Sequence, residues 1–118
     1  MQLLKIYYAY FSPGNTTEKV VSHIASSFQN YPVESINLTD YATRQEDYYF
    51  KENELLIIGV PAYGGRVPAP VVDALRHFTG SNTPVVLVAT YGNRDIDDTL
   101  IELKKNVIDK GFIPVGAA

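Results

Sequence analysis

Cysteine and tryptophan are absent from the 118 residues, and only two histidines occur. Without cysteine the chain can form no disulfide, ligate no iron–sulfur cluster through thiolates and use no thiolate as a nucleophile. Neither His23 nor His77 has a second histidine or an acidic residue at ligand spacing, which argues against a metal site. The absence of cysteine fits a reducing compartment, and we expect a cytoplasmic location.

Strong charge and long apolar runs are also missing. The formal net charge is −3 and no cluster of lysine and arginine occurs, which argues against nucleic acid as a partner. No apolar run approaches membrane-spanning length, and the N-terminus lacks the pattern of a signal peptide. A chain of this length can bury one core, so we expect one domain over residues 1–118 with no membrane contact.

Apolar runs alternate with helical patterns along the whole chain. Strands are predicted over 2–10, 33–38, 54–60, 84–89 and 112–116. Helices are predicted over 16–30 and 70–78, and a third lies between a cap at Asp95 and a closing Gly111. Residues 39–53 are the least regular part, with room for a short helix only. Strands separated by helices indicate βαβ units and a parallel sheet, whose ligands bind outside the carboxyl ends of the strands.

The turn between the first strand and the first helix has the most unusual composition. Free amide groups at a helix N-terminus, the helix dipole and nearby hydroxyls together favour a bound phosphate. Gly14 and Asn15 tolerate the positive φ angles that turn backbone amides inward. The lysine of an NTPase P-loop is missing. A helix cap without any ligand would use the same residue types, so both interpretations stay open. The candidate phosphate residues are Ser12, Pro13, Gly14, Asn15, Thr16 and Thr17.

Two further loops, after the strands at 54–60 and 84–89, each contain a Tyr-Gly pair. A tyrosine ring beside a glycine backbone suits a flat heteroaromatic ring, which can stack on the tyrosine and bond to main-chain groups. Together with a phosphate turn, these loops indicate a mononucleotide site, and a flavin fits best. Arg66 and Arg94 are interpreted either as solvated loop side chains or as contacts for an acidic group. The candidate ring-binding residues are Pro61, Ala62, Tyr63, Gly64 and Gly65 in one loop and Thr90, Tyr91, Gly92 and Asn93 in the other.

Three motifs carry a resemblance to a known family: Y-F-S-P-G-N-T-T-E-K-V, G-V-P-A-Y-G-G-R-V-P-A-P and Y-G-N-R-D-I-D-D. The chain resembles a flavodoxin-like domain, and most of all the flavodoxin-type module of flavodoxin–ferredoxin fusion proteins. The resemblance implies an α/β fold with an open five-stranded parallel sheet in the order 2-1-3-4-5 and helices on both faces. It also implies noncovalent FMN, with the phosphate held by residues 12–17 and the isoalloxazine ring flanked by 61–65 and 90–93.

The chain departs from the flavodoxin pattern in two places. Flavodoxin phosphate turns usually read Ser/Thr-x-Thr-Gly-x-Thr, whereas here Gly14 replaces the central threonine and Asn15 stands where the glycine would be. Asparagine is the best non-glycine residue for a left-handed turn. A flavodoxin also continues past its fifth strand into a last helix, which is missing here. We therefore expect either a truncated chain or apolar surface that a partner or a second copy covers.

Three functions from different classes follow as hypotheses. The first is an FMN-binding electron-transfer domain that works with a redox partner such as an iron–sulfur domain. In that case the protein tunes the flavin through hydrogen bonds at N5, for which Gly64 and Gly92 are candidates. The second is a flavin-dependent NAD(P)H:quinone or FMN reductase of the same fold, which would need a second nucleotide site. The third is a flavin-free scaffold or interaction module.

Overall fold

The computed structural model describes residues 2–90 and 96–118 of the chain. No helix within these ranges is long and apolar enough to cross a membrane. The described helices are α1 (Thr16–Ser26), α2 (Tyr41–Arg44), α3 (Ala69–Leu75) and α4 (Ile96–Asp109). The described strands are β1 (Lys5–Tyr10), β2 (Val33–Asn37), β3 (Tyr48–Tyr49), β4 (Glu54–Pro61), β5 (Phe78–Thr79), β6 (Thr83–Thr90) and β7 (Phe112–Ala117).

Five of these strands form one parallel sheet in the order β2-β1-β4-β6-β7. The central strand β4 is buried along its whole length, which explains its uninterrupted apolar sequence. The short strands β3 and β5 pair only with each other, in a separate two-stranded sheet. Counting the strands of the large sheet alone along the chain, the order is 2-1-3-4-5, so the predicted topology is confirmed.

Helices cover both faces of the large sheet. Because successive side chains of a strand point to opposite faces, neighbouring residues of β4 pack against different helices. Ile57 packs with Val21 and Ala25 of α1 on one face. The opposite face packs against α3 and α4 in a larger apolar cluster, which includes Leu56, Ile58, Val60, Val71, Leu75, Leu103 and Val107.

The bounds of most predicted elements differ from the structure by a few residues; the first strand, for example, begins at Lys5 instead of Gln2. The first helix ends at Ser26 instead of residue 30, and the hydroxyls of Ser26 and Ser27 donate to the carbonyls of His23 and Ile24 at 2.6 Å. Such side-chain bonds compete with helix continuation. The predicted helix 70–78 ends at Leu75, because the following chain forms β5. The irregular segment 39–53 contains α2, as expected, and also β3.

Gly59 allows α1 to pack closely against β4. A Cβ atom at this position would overlap Val21 Cγ1 and lie 2.9 Å from Thr17 Cγ2, both on α1. The helix and β4 therefore meet at closer range than any larger residue would permit.

Replacing Gly59 with Ala should push α1 away from β4 and lower the free energy of unfolding by about 1–3 kcal/mol, the usual effect of overpacking. Urea denaturation measures the change. Gly116→Ala is the matched control, since its added Cβ would meet Val86 Cγ2 at an ordinary 3.9 Å. Equal stability of the two variants would show that the contact at Gly59 is not tight.

Candidate functional site

The three candidate loops follow β1, β4 and β6, which are neighbours in a parallel sheet and end at the same edge. Hydrogen bonds join them there: the Phe11 amide donates to the Gly59 carbonyl at 3.1 Å, and the Ala62 amide to the Thr90 carbonyl at 2.7 Å. Thr90 is the last described residue of its loop. The candidate residues Tyr91, Gly92 and Asn93 lie outside the described residues.

The first turn is solvent-exposed from Pro13 to Thr16 and leads directly into α1. Asn15 precedes the helix with φ 69° and ψ −6°, the left-handed conformation, and makes no side-chain capping bond. Its amide donates to the Ser12 carbonyl at 3.1 Å and closes the turn. The expectation of a left-handed residue is therefore confirmed at Asn15, whereas Gly14 does not use a positive φ.

The hydroxyls of Ser12 and Thr17 hold the turn in place. Ser12 is buried, and its Oγ accepts from the Glu18 amide at 3.0 Å, so it caps α1. Thr17 is 1% exposed, and its hydroxyl lies 2.7 Å from the hydroxyl of Thr90. Two candidate loops are thus joined directly by their side chains. The part of the turn that faces solvent is the segment from Pro13 to Thr16.

Thr39, which the sequence did not single out, also supports the turn. Its Oγ1 accepts from the Ser12 amide at 2.8 Å, and its own amide donates to Asn37 Oδ1 at 3.0 Å. Thr39 follows β2, the strand beside β1, and so lies at the same edge of the sheet. That position is the signal that could have identified it, because the predicted strand order already places the two segments together.

The loop after β4 forms a tight hairpin. The amides and carbonyls of Tyr63 and Arg66 bond to each other at 3.1 and 3.0 Å. Gly64 and Gly65 between them have φ angles of 57° and 77°, the combination of a type I′ turn. Tyr63 is 51% exposed, and nothing lies within 4 Å of where a Gly64 side chain would begin. An open backbone thus stands beside an accessible aromatic ring.

Glu102 of α4 anchors this hairpin. Its Oε1 accepts from Arg66 Nε at 2.9 Å and from the Val67 amide at 3.0 Å. The hydrogen bond from Arg66 holds the pKa of Glu102 below its ordinary value, and the same contact raises the pKa of Arg66. Arg66 is therefore an anchored side chain and not simply a solvated one. Arg94 lies outside the described residues.

Negative charge also lies close to the first turn. Burial, followed by the nearby Glu18 carboxylate, raises the pKa of Tyr10 above its ordinary value. Glu18 belongs to the first turn of α1, where an acidic side chain interacts favourably with the helix dipole. A bound phosphate would therefore share this helix end with one carboxylate.

Comparison with known proteins identifies the fold. No protein-family model matches the chain. The crystal structure of a "Putative flavoprotein" from Bacteroides uniformis superposes with a TM-score of 0.68 at 17% identity, over 98% of this chain and 90% of that one. The fold is therefore flavodoxin-like. Ribonuclease Z from two Staphylococcus aureus strains, MSSA476 and MW2, is 42% identical over 62 residues. That match covers 48% of this chain. It covers only 20% of the length of the ribonuclease Z proteins, so this chain corresponds to a small part of them.

The bond between Thr17 and Thr90 can be measured with a double-mutant cycle. Thr17→Val keeps the methyl group against Gly59 but leaves the Thr90 hydroxyl without this partner, so unfolding should become easier by about 1 kcal/mol. Thr90→Val should cost a similar amount. The double variant should cost clearly less than the two single changes added together. Simple additivity in urea denaturation would show that the two hydroxyls do not interact.

The Glu102 anchor predicts a pH-dependent stability. Because the folded-state pKa of Glu102 is lowered, its carboxylate stabilises the fold above its unfolded-state pKa of about 4.3, and this contribution disappears as pH falls through the folded-state value. Glu102→Gln keeps an oxygen for the Val67 amide but loses the ion pair. It should lower the free energy of unfolding by about 0.5 kcal/mol at neutral pH, and the difference from the wild type should be smaller at an acid pH below the unfolded-state pKa.

Urea denaturation at both pH values measures this effect. Asp73→Asn is the matched control, because Asp73 and Arg76 are 3.8 Å apart with both side chains largely exposed, and its stability should change little at either pH. A Glu102→Gln variant as stable as the wild type at neutral pH would contradict the anchor.

Proposed function

We propose that this chain is an FMN-binding domain that exchanges electrons with a redox protein, and that the partner carries an iron–sulfur domain. The observation that supports this most strongly is the edge of the sheet. There, a left-handed turn at the N-terminus of α1 and an open Tyr-Gly hairpin lie on neighbouring strands joined by hydrogen bonds. In a flavodoxin-like sheet this edge is where a ligand binds.

The phosphate of FMN would bind at the turn 12–17. Residues Pro13 to Thr16 are exposed at the helix N-terminus, where the helix dipole attracts an anion. Ser12 and Thr17 would support the turn without contacting the phosphate, because their hydroxyls bond to the Glu18 amide and to the Thr90 hydroxyl. Asn15 keeps the left-handed conformation that the turn requires.

The isoalloxazine ring would lie between the hairpin of Pro61, Ala62, Tyr63, Gly64 and Gly65 and the loop of Thr90, Tyr91, Gly92 and Asn93. Tyr63 offers an aromatic face, and the Gly64 peptide has open space beside it. Bound flavin supplies the electron exchange, while the protein positions the ring and tunes its potential. Glu102 and Arg66 hold the hairpin in position for this purpose.

The remaining assignments belong to the same proposal. A chain without cysteine has no thiolates for an iron–sulfur cluster of its own, so a separate domain would carry the cluster, as in flavodoxin–ferredoxin fusion proteins. Electron exchange of this kind fits the reducing cytoplasm. The ribonuclease Z match gives this chain no nuclease assignment, because it covers a fifth of those proteins.

The test compares FMN with riboflavin, which has the same ring and lacks the phosphate. Flavin fluorescence is titrated with the protein, with its Asn15→Gly variant and with its Asn15→Ala variant. Glycine tolerates the left-handed conformation, whereas alanine is strained there by about 1 kcal/mol. We expect FMN to bind more tightly than riboflavin, and Asn15→Ala to weaken FMN binding about fivefold more than Asn15→Gly does.

Different results would contradict the phosphate assignment and the flavin assignment. Equal binding of FMN and riboflavin would overturn the phosphate assignment while keeping the ring site. Binding of neither compound at concentrations up to about 100 µM would overturn the flavin proposal and favour a flavin-free module. Anaerobic photoreduction of the complex then separates the two flavin functions. Two successive one-electron steps support electron transfer, and a single two-electron step accelerated by NADPH would favour a reductase.

A further inference from the structure

The exposed face of α4 carries an ordered charge pattern around one isoleucine. Ile101 is 54% exposed. Asp97 and Asp98 lie four and three residues before it, and Lys104 and Lys105 lie three and four residues after it, all exposed. Residues three and four apart share one face of a helix, so these five side chains form a single strip. The strip is acidic on the N-terminal side of Ile101 and basic on the C-terminal side.

None of these four charged side chains has an ion-pair partner within the described residues. The described ion pairs join Lys5 to Glu34, Arg66 to Glu102, Arg76 to Asp73 and His77 to Asp47. The strip therefore presents solvent-exposed charge of both signs around an exposed apolar side chain. Ile101 also borders an apolar groove between α4 and β7, lined further by Leu87, Leu100, Pro114, Gly116 and Ala117.

We propose that this strip is a self-complementary interface through which two copies of the chain pair their α4 helices antiparallel, about a twofold axis that passes by Ile101. A twofold interface brings the same surface together from both copies. With the helices antiparallel, Asp97 and Asp98 of one copy face Lys104 and Lys105 of the other, and the two Ile101 side chains meet at the centre. A helix rises 1.5 Å per residue, so the charges lie about 5–6 Å on either side of the centre in both copies.

The charge order favours antiparallel helices over parallel helices in register. Parallel helices in register would set the aspartates of the two copies opposite each other, and likewise the lysines, with repulsion at both ends. A partner with one sign of charge would match half of the strip and oppose the rest. A second copy satisfies all four charges of each strip at once.

The pairing should be weak and sensitive to salt. One face of a 14-residue helix on each side buries less area than a standard stable interface. Exposed ion pairs contribute little individually, and added salt screens them. We therefore expect a dissociation constant of about 10⁻⁴ M at low ionic strength and at least about tenfold weaker pairing in 0.5 M salt. The dimer does not rest on the proposed flavin binding, since none of its five residues is a candidate phosphate or ring residue. Three of the five line a polar groove together with Gly64 and Gly65 of the hairpin.

Charge reversal tests both the interface and its symmetry by sedimentation equilibrium. One variant carries Asp97→Lys and Asp98→Lys, so its strip is basic throughout. A second carries Lys104→Asp and Lys105→Asp, so its strip is acidic throughout. Each alone should dimerise at least about tenfold more weakly than the wild type, because every cross-interface pair becomes repulsive. An equimolar mixture should form a heterodimer at least as strong as the wild-type dimer.

Matched controls separate the interface from general effects of charge and hydrophobicity. Lys19→Asp with Lys51→Asp changes the net charge as much as the second variant, at two exposed residues outside α4, and should leave the dimer unchanged. Ile101→Ser should weaken it, whereas Ile113→Ser, at an isoleucine of similar exposure on β7, should not. Circular dichroism verifies that every variant is folded.

Three results would overturn the proposal. The first is a wild-type protein that stays monomeric at millimolar concentration and low salt. The second is a dimer that both charge-reversal variants retain. The third is a mixture of the two variants that fails to pair although each variant is folded, because antiparallel contact requires the mixed strips to attract.

Discussion

The contact of α1 with β4 at Gly59 is the constraint on which the candidate site depends. The missing side chain lets Thr17 and Val21 reach the strand, and only at that distance can the Thr17 hydroxyl bond to Thr90 on the next strand. The turn 12–15 leads directly into the same helix, so its position follows from this packing. A contact buried in the middle of the sheet thereby sets the geometry of an exposed turn at its edge.

Some polar groups of the site stabilise its loops from inside the protein, and others face solvent. Ser12 and Thr17 use their side chains inside the protein, where an unsatisfied hydroxyl would be costly, and the half-buried Thr39 accepts from the Ser12 amide. The exposed residues of the site lie in the turn before α1 and at Tyr63 and Gly64 of the hairpin. Backbone groups fixed by buried hydrogen bonds need little reordering when a ligand binds, which lowers the entropic cost of binding.

Sequence patterns predicted the features that local chemistry determines. The apolar run of β4 predicted a central strand, and Asn15 in place of a glycine predicted a left-handed turn. Features that depend on distant parts of the chain were not predictable in this way. Glu102 lies 36 residues from Arg66, and no local signal distinguishes it from the other acidic residues of α4.

Helix α4 connects the hairpin with the proposed dimer face. Glu102, which holds Arg66 and Val67, is the next residue after Ile101, so the anchor and the centre of the strip lie about 100° apart on the same turn of the helix. A polar groove beside α4 is lined by residues of the hairpin, such as Gly64 and Arg66, and by residues of the strip, such as Ile101 and Lys105. Pairing of two copies at Ile101 would therefore change the surroundings of the ion pair that positions the hairpin. Any such coupling is reciprocal, so a ligand that binds at the hairpin would change the strength of pairing by the same factor by which pairing changes the ligand's affinity.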